Sequence, residues 1–153
     1  MVLAAASLER SRGSYAAGMT TPDATGGCLC GAVRYEVRGP LRDVVVCHCV
    51  EYRRSHGTSA AYTSAARDDV EVADPEGELA WFWGPQSATR GERGFCRRCG
   101  SSLFWRTPER PTISITAGTL DGATGLRTVQ HIWDEQRADW EADDGLPRSP
   151  RGT

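Results

Sequence analysis

Polar and apolar positions alternate through much of the chain between residues 32 and 133, and a period of two is the mark of a half-buried strand. The clearest case is 32–38, where Val33, Tyr35 and Val37 interleave with Arg34, Glu36 and Arg38. Val44, Val45 and Val46 make a short buried strand that runs into Cys47. The same pattern predicts strands over 58–63, 69–73, 78–83, 88–95, 102–106, 112–117 and 127–133, with Gly, Pro or Asp in nearly every gap. No 3.6-residue pattern lasts three turns, so the only helix expected is a single turn near 50–56. The expected fold is all-β, built from about eight or nine short strands.

The ends break the pattern. Residues 1–24 are rich in Ala, Ser, Gly and Thr without periodicity, and 141–153 (EADDGLPRSPRGT) are polar with Pro and Gly. Both are expected to be disordered tails around one domain at 25–140. A chain of 153 residues is long enough for that domain to bury a core.

Composition removes several classes of function. Net charge is −2 and the pI is about 5.9, so no basic field exists to hold a nucleic acid. All 18 basic residues are Arg, which excludes Schiff-base lysines and the P-loop lysine. No G-x-S-x-G occurs. No apolar run approaches the ~20 residues of a membrane span. The start, MVLAAASLERSRG, lacks the charged region and long apolar stretch of a secretory signal. A cytoplasmic protein with reduced thiols is the expectation.

The six cysteines fall into three tight pairs: Cys28 with Cys30, Cys47 with Cys49 around His48, and Cys96 with Cys99. Closely spaced thiols in a reduced compartment read as metal ligands before disulfides. Cys96 and Cys99 form C-x-x-C followed by Gly100, the pattern of a zinc knuckle, in which a residue of positive φ lets the turn fold back on the metal. Gly31 stands in the same relation to the first pair. Two pairs make a closed four-thiolate zinc site. Spacing alone leaves open whether Cys47 and Cys49 replace either partner.

The segments GGCLCGAVRYEV, CHCVEYRRSHGTS, GFCRRCGSSLFW, ISITAGTLD and HIW-x₆-W together resemble the glutathione-dependent formaldehyde-activating enzyme family (GFA, the CENP-V/GFA domain) over roughly 25–140. The resemblance implies an Mss4-like fold of folded antiparallel sheets with zinc held between loops. It implies that Cys28, Cys30, Cys96 and Cys99 hold a structural zinc ion. It also implies a second, catalytic zinc on a C-H-C-x-x-C segment and carbon–sulfur lyase activity on adducts of glutathione, or a similar small thiol, with formaldehyde.

Here the chain departs from the pattern. Cys47 and Cys49 supply two ligands of the second site, but the third position is Tyr52. A neutral phenol with a pKa near 10 is a poor zinc ligand. Three outcomes follow: the second ion is absent; it is weakly held and completed by substrate thiol or water; or His48 or His56 substitutes. Two functions therefore compete, a thiol–aldehyde lyase using Cys47 and Cys49, and a zinc-stabilised binding module without catalysis. No nucleic-acid or membrane partner is expected. The simplest reading of His131 is structural. For Trp81, Phe82, Trp83, Trp105, Trp133 and Trp140 it is core or sheet cover. For Arg53, Arg54, Arg97 and Arg98 it is a solvated face that offsets thiolate charge, with recognition of a substrate carboxylate as the sharper alternative.

Overall fold

The structure is a computed structural model, and it describes residues 23–84 and 90–152. Its strands are β1 (Ala24–Gly27), β2 (Arg34–Val37), β3 (Val44–Cys47), β4 (Ala60–Ala66), β5 (Val70–Ala73), β6 (Leu79–Trp83), β7 (Glu92–Cys96), β8 (Ser102–Arg106), β9 (Thr112–Thr116) and β10 (Thr128–Ile132). One α-helix, α1 (Val50–His56), follows β3. The strands form a three-stranded antiparallel sheet in the order β1-β2-β5 and a seven-stranded sheet in the order β10-β3-β4-β9-β8-β7-β6. Every pairing is antiparallel except β10 with β3. This is the all-β, Mss4-like architecture expected from the sequence.

The alternation in β2 has its expected consequence. Val33, Tyr35 and Val37 are buried, and they meet Leu103, Phe104 and Ile115 of the larger sheet in one apolar cluster. Tyr35 and Phe104 pack edge to face with ring centroids 5.2 Å apart, and the Tyr35 hydroxyl lies 2.8 Å from Thr119 Oγ1. A ring of this size buried between layers contributes on the order of 2–3 kcal/mol. A second, smaller cluster joins Cys47, Tyr52, Ala60 and Tyr62 beneath α1.

The helix is short and closed at both ends. The Cys49 sulfur accepts the Tyr52 N–H at 3.4 Å, and Gly57, at φ +79°, donates its N–H to the Arg53 carbonyl at 2.8 Å. Of its side chains only Tyr52 is buried, so it packs through a single residue.

Two expectations change, and one lies beyond test. Residues 24–27 form a strand that the alternation could not show, because ATGG has no apolar face and is held by backbone pairing to β2. The expected N-terminal tail up to residue 22 lies outside the described residues. Residues 141–152 do not stand off as a tail but run along β10. His131 N–H donates to Pro147 O, and the Ser149 N–H returns to His131 O, both at 2.9 Å. Arg148 anchors the segment by pairing with Asp134 at 2.7 Å and Asp143 at 2.8 Å. Main-chain and ion-pair anchoring leaves no trace in hydropathy. No helix among the described residues is long and apolar enough to cross a membrane.

Candidate metal centre and the adjoining cavity

Cys28 follows directly on β1, and Cys30 lies two residues further, in the loop to β2. Cys96 ends β7 and Cys99 stands in the turn to β8. The four sulfurs converge within 4.8 Å of one another. Cys28 and Cys30 Sγ are 3.5 Å apart, and Cys30 and Cys96 Sγ 3.8 Å. All are free thiols, and the separations exclude disulfides. Both turns fold as the glycines predict. Gly31 (φ +79°) donates to Cys28 O at 3.1 Å, and Gly100 (φ +76°) to Cys96 O at 2.8 Å.

The local field divides the set, lowering Cys28 and Cys99 while burial raises Cys96 and Cys30 is pushed up to about 12. The Val33 N–H points at Cys28 Sγ from 3.3 Å. The Ser101 hydroxyl, 3.2 Å from Cys99 Sγ, holds that thiol down to about 5. Four such donors on a closed tetrahedral scale could hold a metal ion, and they link the small sheet to the large one. Arg97 and Arg98 stand beside this turn but are engaged elsewhere, Arg97 with the Gly77 carbonyl and Arg98 with Glu76 and Glu78. They fit the solvated-face reading.

The second cysteine pair stands apart from this centre. Cys47 ends β3 and is buried; Cys49 caps α1 and is half-buried. The Cys47 thiol bonds to Cys49, which together with the Tyr52 N–H lowers Cys49 to about 7, while the same bond and burial push Cys47 far up. Among the described residues these two thiols have no third metal-ligating group within reach. Tyr52 lies flat on Tyr62 with centroids 5.0 Å apart and planes 18° from parallel, and burial raises its phenol well above 10.

Neither histidine takes the vacant role. His56 directs Nδ1 to Ser55 and the Tyr52 carbonyl, and Nε2 to the Tyr62 hydroxyl at 3.1 Å. His48 faces away, with Glu141 at 2.5 Å from Nδ1 and His131 Nδ1 at 2.7 Å from Nε2. His131 in turn meets Asp144 at 2.8 Å, which is a structural role. As they stand, Cys47 and Cys49 do not fit a second metal site of three protein ligands, and both imidazoles are engaged with other groups.

What the pair does adjoin is a cavity of about 770 Å³, a size typical of small-molecule sites. Cys47 and Cys49 line it with Tyr52, Tyr62, Trp105 and Trp133. Four guanidinium side chains also line it: Arg42, Arg93, Arg110 and Arg151. The sequence had pointed instead to Arg53, Arg54, Arg97 and Arg98, none of which reaches the cavity. Arg93 sits in the alternating stretch leading to Cys96, but strand faces alone do not reveal which neighbour a side chain meets. Trp105 and Trp133 pack against the smaller apolar cluster, as expected, and also line the cavity. Trp81 does pack on the core, stacked on Phe104 at 6.2 Å, while Phe82, Trp83 and Trp140 are exposed.

The family model described as glutathione-dependent formaldehyde-activating enzyme (GFA) matches residues 23–136, about three quarters of the chain. The chain belongs to the GFA family. A crystal structure of a Rhodobacter sphaeroides protein is also similar, at 30% identity and a TM-score of 0.52, over 65% of this chain and 89% of that one. No curated protein matches. The GFA match takes in all six cysteines, the helix and β10, and stops before the segment that folds back along β10.

Thiol reactivity gives a direct check on the pair. Alkylation of Cys49 by iodoacetamide should rise with pH around about 7 and level off above it, because only the thiolate reacts. Since the Cys47 hydrogen bond is the largest lowering influence, Cys47→Ala should move that rise to higher pH. A wild-type profile centred near the ordinary value of 9.0 would contradict the arrangement.

Proposed function

We propose that this GFA-family chain holds one structural zinc ion on Cys28, Cys30, Cys96 and Cys99, and uses the adjoining cavity to bind the adduct of a small anionic thiol with an aldehyde. The reaction class is carbon–sulfur lyase, with a glutathione-like thiol and formaldehyde as the leading pair. The observation that carries the reading is the cavity itself, which places two thiols and four guanidinium groups around one space of small-molecule size. Zinc is the natural occupant of an all-thiolate tetrahedral set, and there it stabilises the fold without touching the reaction.

Without a second ion the chemistry falls to the protein. In the cleavage direction the Cys49 thiolate takes the hydroxyl proton of an S-hydroxymethyl adduct. The oxygen electrons form the carbonyl, the carbon–sulfur bond breaks, and its pair leaves on the substrate sulfur. Cys49 then returns the proton to that sulfur, giving free thiol and aldehyde. A group titrating near 7 is suited to both halves of such a transfer at neutral pH. The arginines hold the carboxylates of the thiol by charge-assisted hydrogen bonds.

Tyr52 favours a second reading, a binding module that has lost the catalytic ion and with it the reaction. Two-dimensional exchange NMR of glutathione and formaldehyde with the zinc-loaded chain separates the two. The lyase reading expects exchange faster than the uncatalysed rate and abolished in Cys49→Ser. The module reading expects S-methylglutathione to bind without any acceleration. A chain that neither accelerates exchange nor binds the analogue would refute both.

A further inference from the structure

The GFA match ends at residue 136, yet the chain beyond it supplies part of the cavity wall. Arg151 and Gly152 line the cavity next to Trp133 and Gln136. They are held there by the backbone. The Trp133 N–H donates to Arg151 O at 3.3 Å, and the Asp134 N–H to Ser149 O at 3.1 Å. Gly152 lies so close to the Trp133 indole that a Cβ there would stand 3.1 Å from its Nε1. Trp133 itself has φ +57°, a left-handed conformation that costs a bulky residue on the order of 1 kcal/mol and persists only where its surroundings enforce it. Further back, the Glu141 carboxylate closes on buried His48 and Asp144 on His131, so the whole segment is fastened to the strand that carries the cavity wall.

The guanidinium groups of the cavity differ in what already occupies them. Arg42 donates to Ser64 Oγ and to the Tyr62 carbonyl, both at 3.1 Å. Arg93 is paired with Glu51 and lies over the Tyr52 ring at 5.3 Å. Arg110 lies over Trp105 at 5.9 Å. Among the described residues Arg151 pairs only loosely, with Glu135 3.6 Å from its Nε, and its side chain is 78% exposed.

We propose that residues 141–152 complete the cavity as a carboxylate subsite, in which the Arg151 guanidinium pairs with a carboxylate of the bound ligand beside Trp133 and Gln136. The inference rests on the reading of the cavity as a pocket for a small anionic thiol. It assigns selectivity to a segment outside the family domain. Ligands whose carboxylate reaches Arg151 bind in preference to those without one. Glu135 competes for the same guanidinium and restrains it in the empty pocket.

Isothermal titration of the zinc-loaded full chain tests this with two probes, S-methylglutathione and its analogue with the glycine carboxylate converted to an amide. Wild type should prefer the acid over the amide by roughly three- to tenfold, the range of one charge-assisted pair near a surface. Arg151→Gln should lose that preference and bind both as wild type binds the amide. Glu135→Gln should tighten the acid and leave the amide unchanged. Circular dichroism and zinc content equal to wild type show that neither variant has altered the fold. Equal binding of acid and amide by wild type, or an unchanged preference in Arg151→Gln, overturns the subsite and leaves the pocket standing. Failure of wild type to bind either probe overturns both the pocket and the subsite.

Discussion

Cys96→Ser is expected to leave the chain unable to fold at room temperature. Cys96 is fully buried at the end of β7, and its sulfur closes the four-thiolate cluster against Cys30 at 3.8 Å. A hydroxyl is a far weaker zinc ligand, and three remaining sulfurs do not close the shell. Structural zinc contributes on the order of 10 kcal/mol to folding, which is comparable with the whole stability of a typical domain, about 5–15 kcal/mol. The expected result is no cooperative thermal melt by circular dichroism and no zinc by elemental analysis. Chelation of the wild-type protein should give the same unfolded spectrum. A Cys96→Ser protein that melts cooperatively near the wild-type temperature would show that the sheets hold together without this cross-link.

The second large effect is expected at Tyr52, and it runs in the opposite direction for metal content. Tyr52→Cys removes a ring stacked on Tyr62 beneath the Arg93 guanidinium, and large-to-small changes in such places cost about 2–4 kcal/mol. It also restores the third thiol of the family's pattern, one helical turn after Cys49. Zinc per chain should rise from one to two. The variant should melt below wild type when only one ion is bound, and recover part of the loss as the second ion is added. Zinc that stays at one per chain would mean that the aromatic substitution is not what keeps the second site from assembling.

Much of the architecture was legible because strands with one wet face write themselves as alternation. β2 is the plain case, and the short α1 is marked by Cys49 before it and Gly57 after it. The four-thiolate cluster was legible for a chemical reason: tight thiol pairs with glycine at the turns have few other uses. The cavity was not. Its arginines come from the loop before β3, from β7, from the turn after β8 and from the far C-terminus, and nothing local to any of them reports the others. Residues 141–152 were misread as a tail because a polar, Pro- and Gly-containing stretch has no apolar face to betray it. What holds it are backbone groups of β10, the Arg148 ion pairs and the contact of Glu141 with buried His48, a residue far away in sequence. Tyr52 shows the reverse. Its departure from the family's pattern was visible at once, and the structure added where the ring went and why neither histidine replaces it.

The four sulfurs also impose an order of events on biosynthesis. Cys30 and Cys96 lie 66 positions apart, so the early pair leaves the ribosome long before its partners exist. Until then it offers only two of the four sulfurs, which leaves any bound ion an open shell. Closure waits for β7 and its turn, and loop-closure entropy makes so distant a contact slow to form. Closure of the four-thiolate cluster is therefore a late step, and the zinc proposed for it can complete its shell only after β7 and its turn have been made.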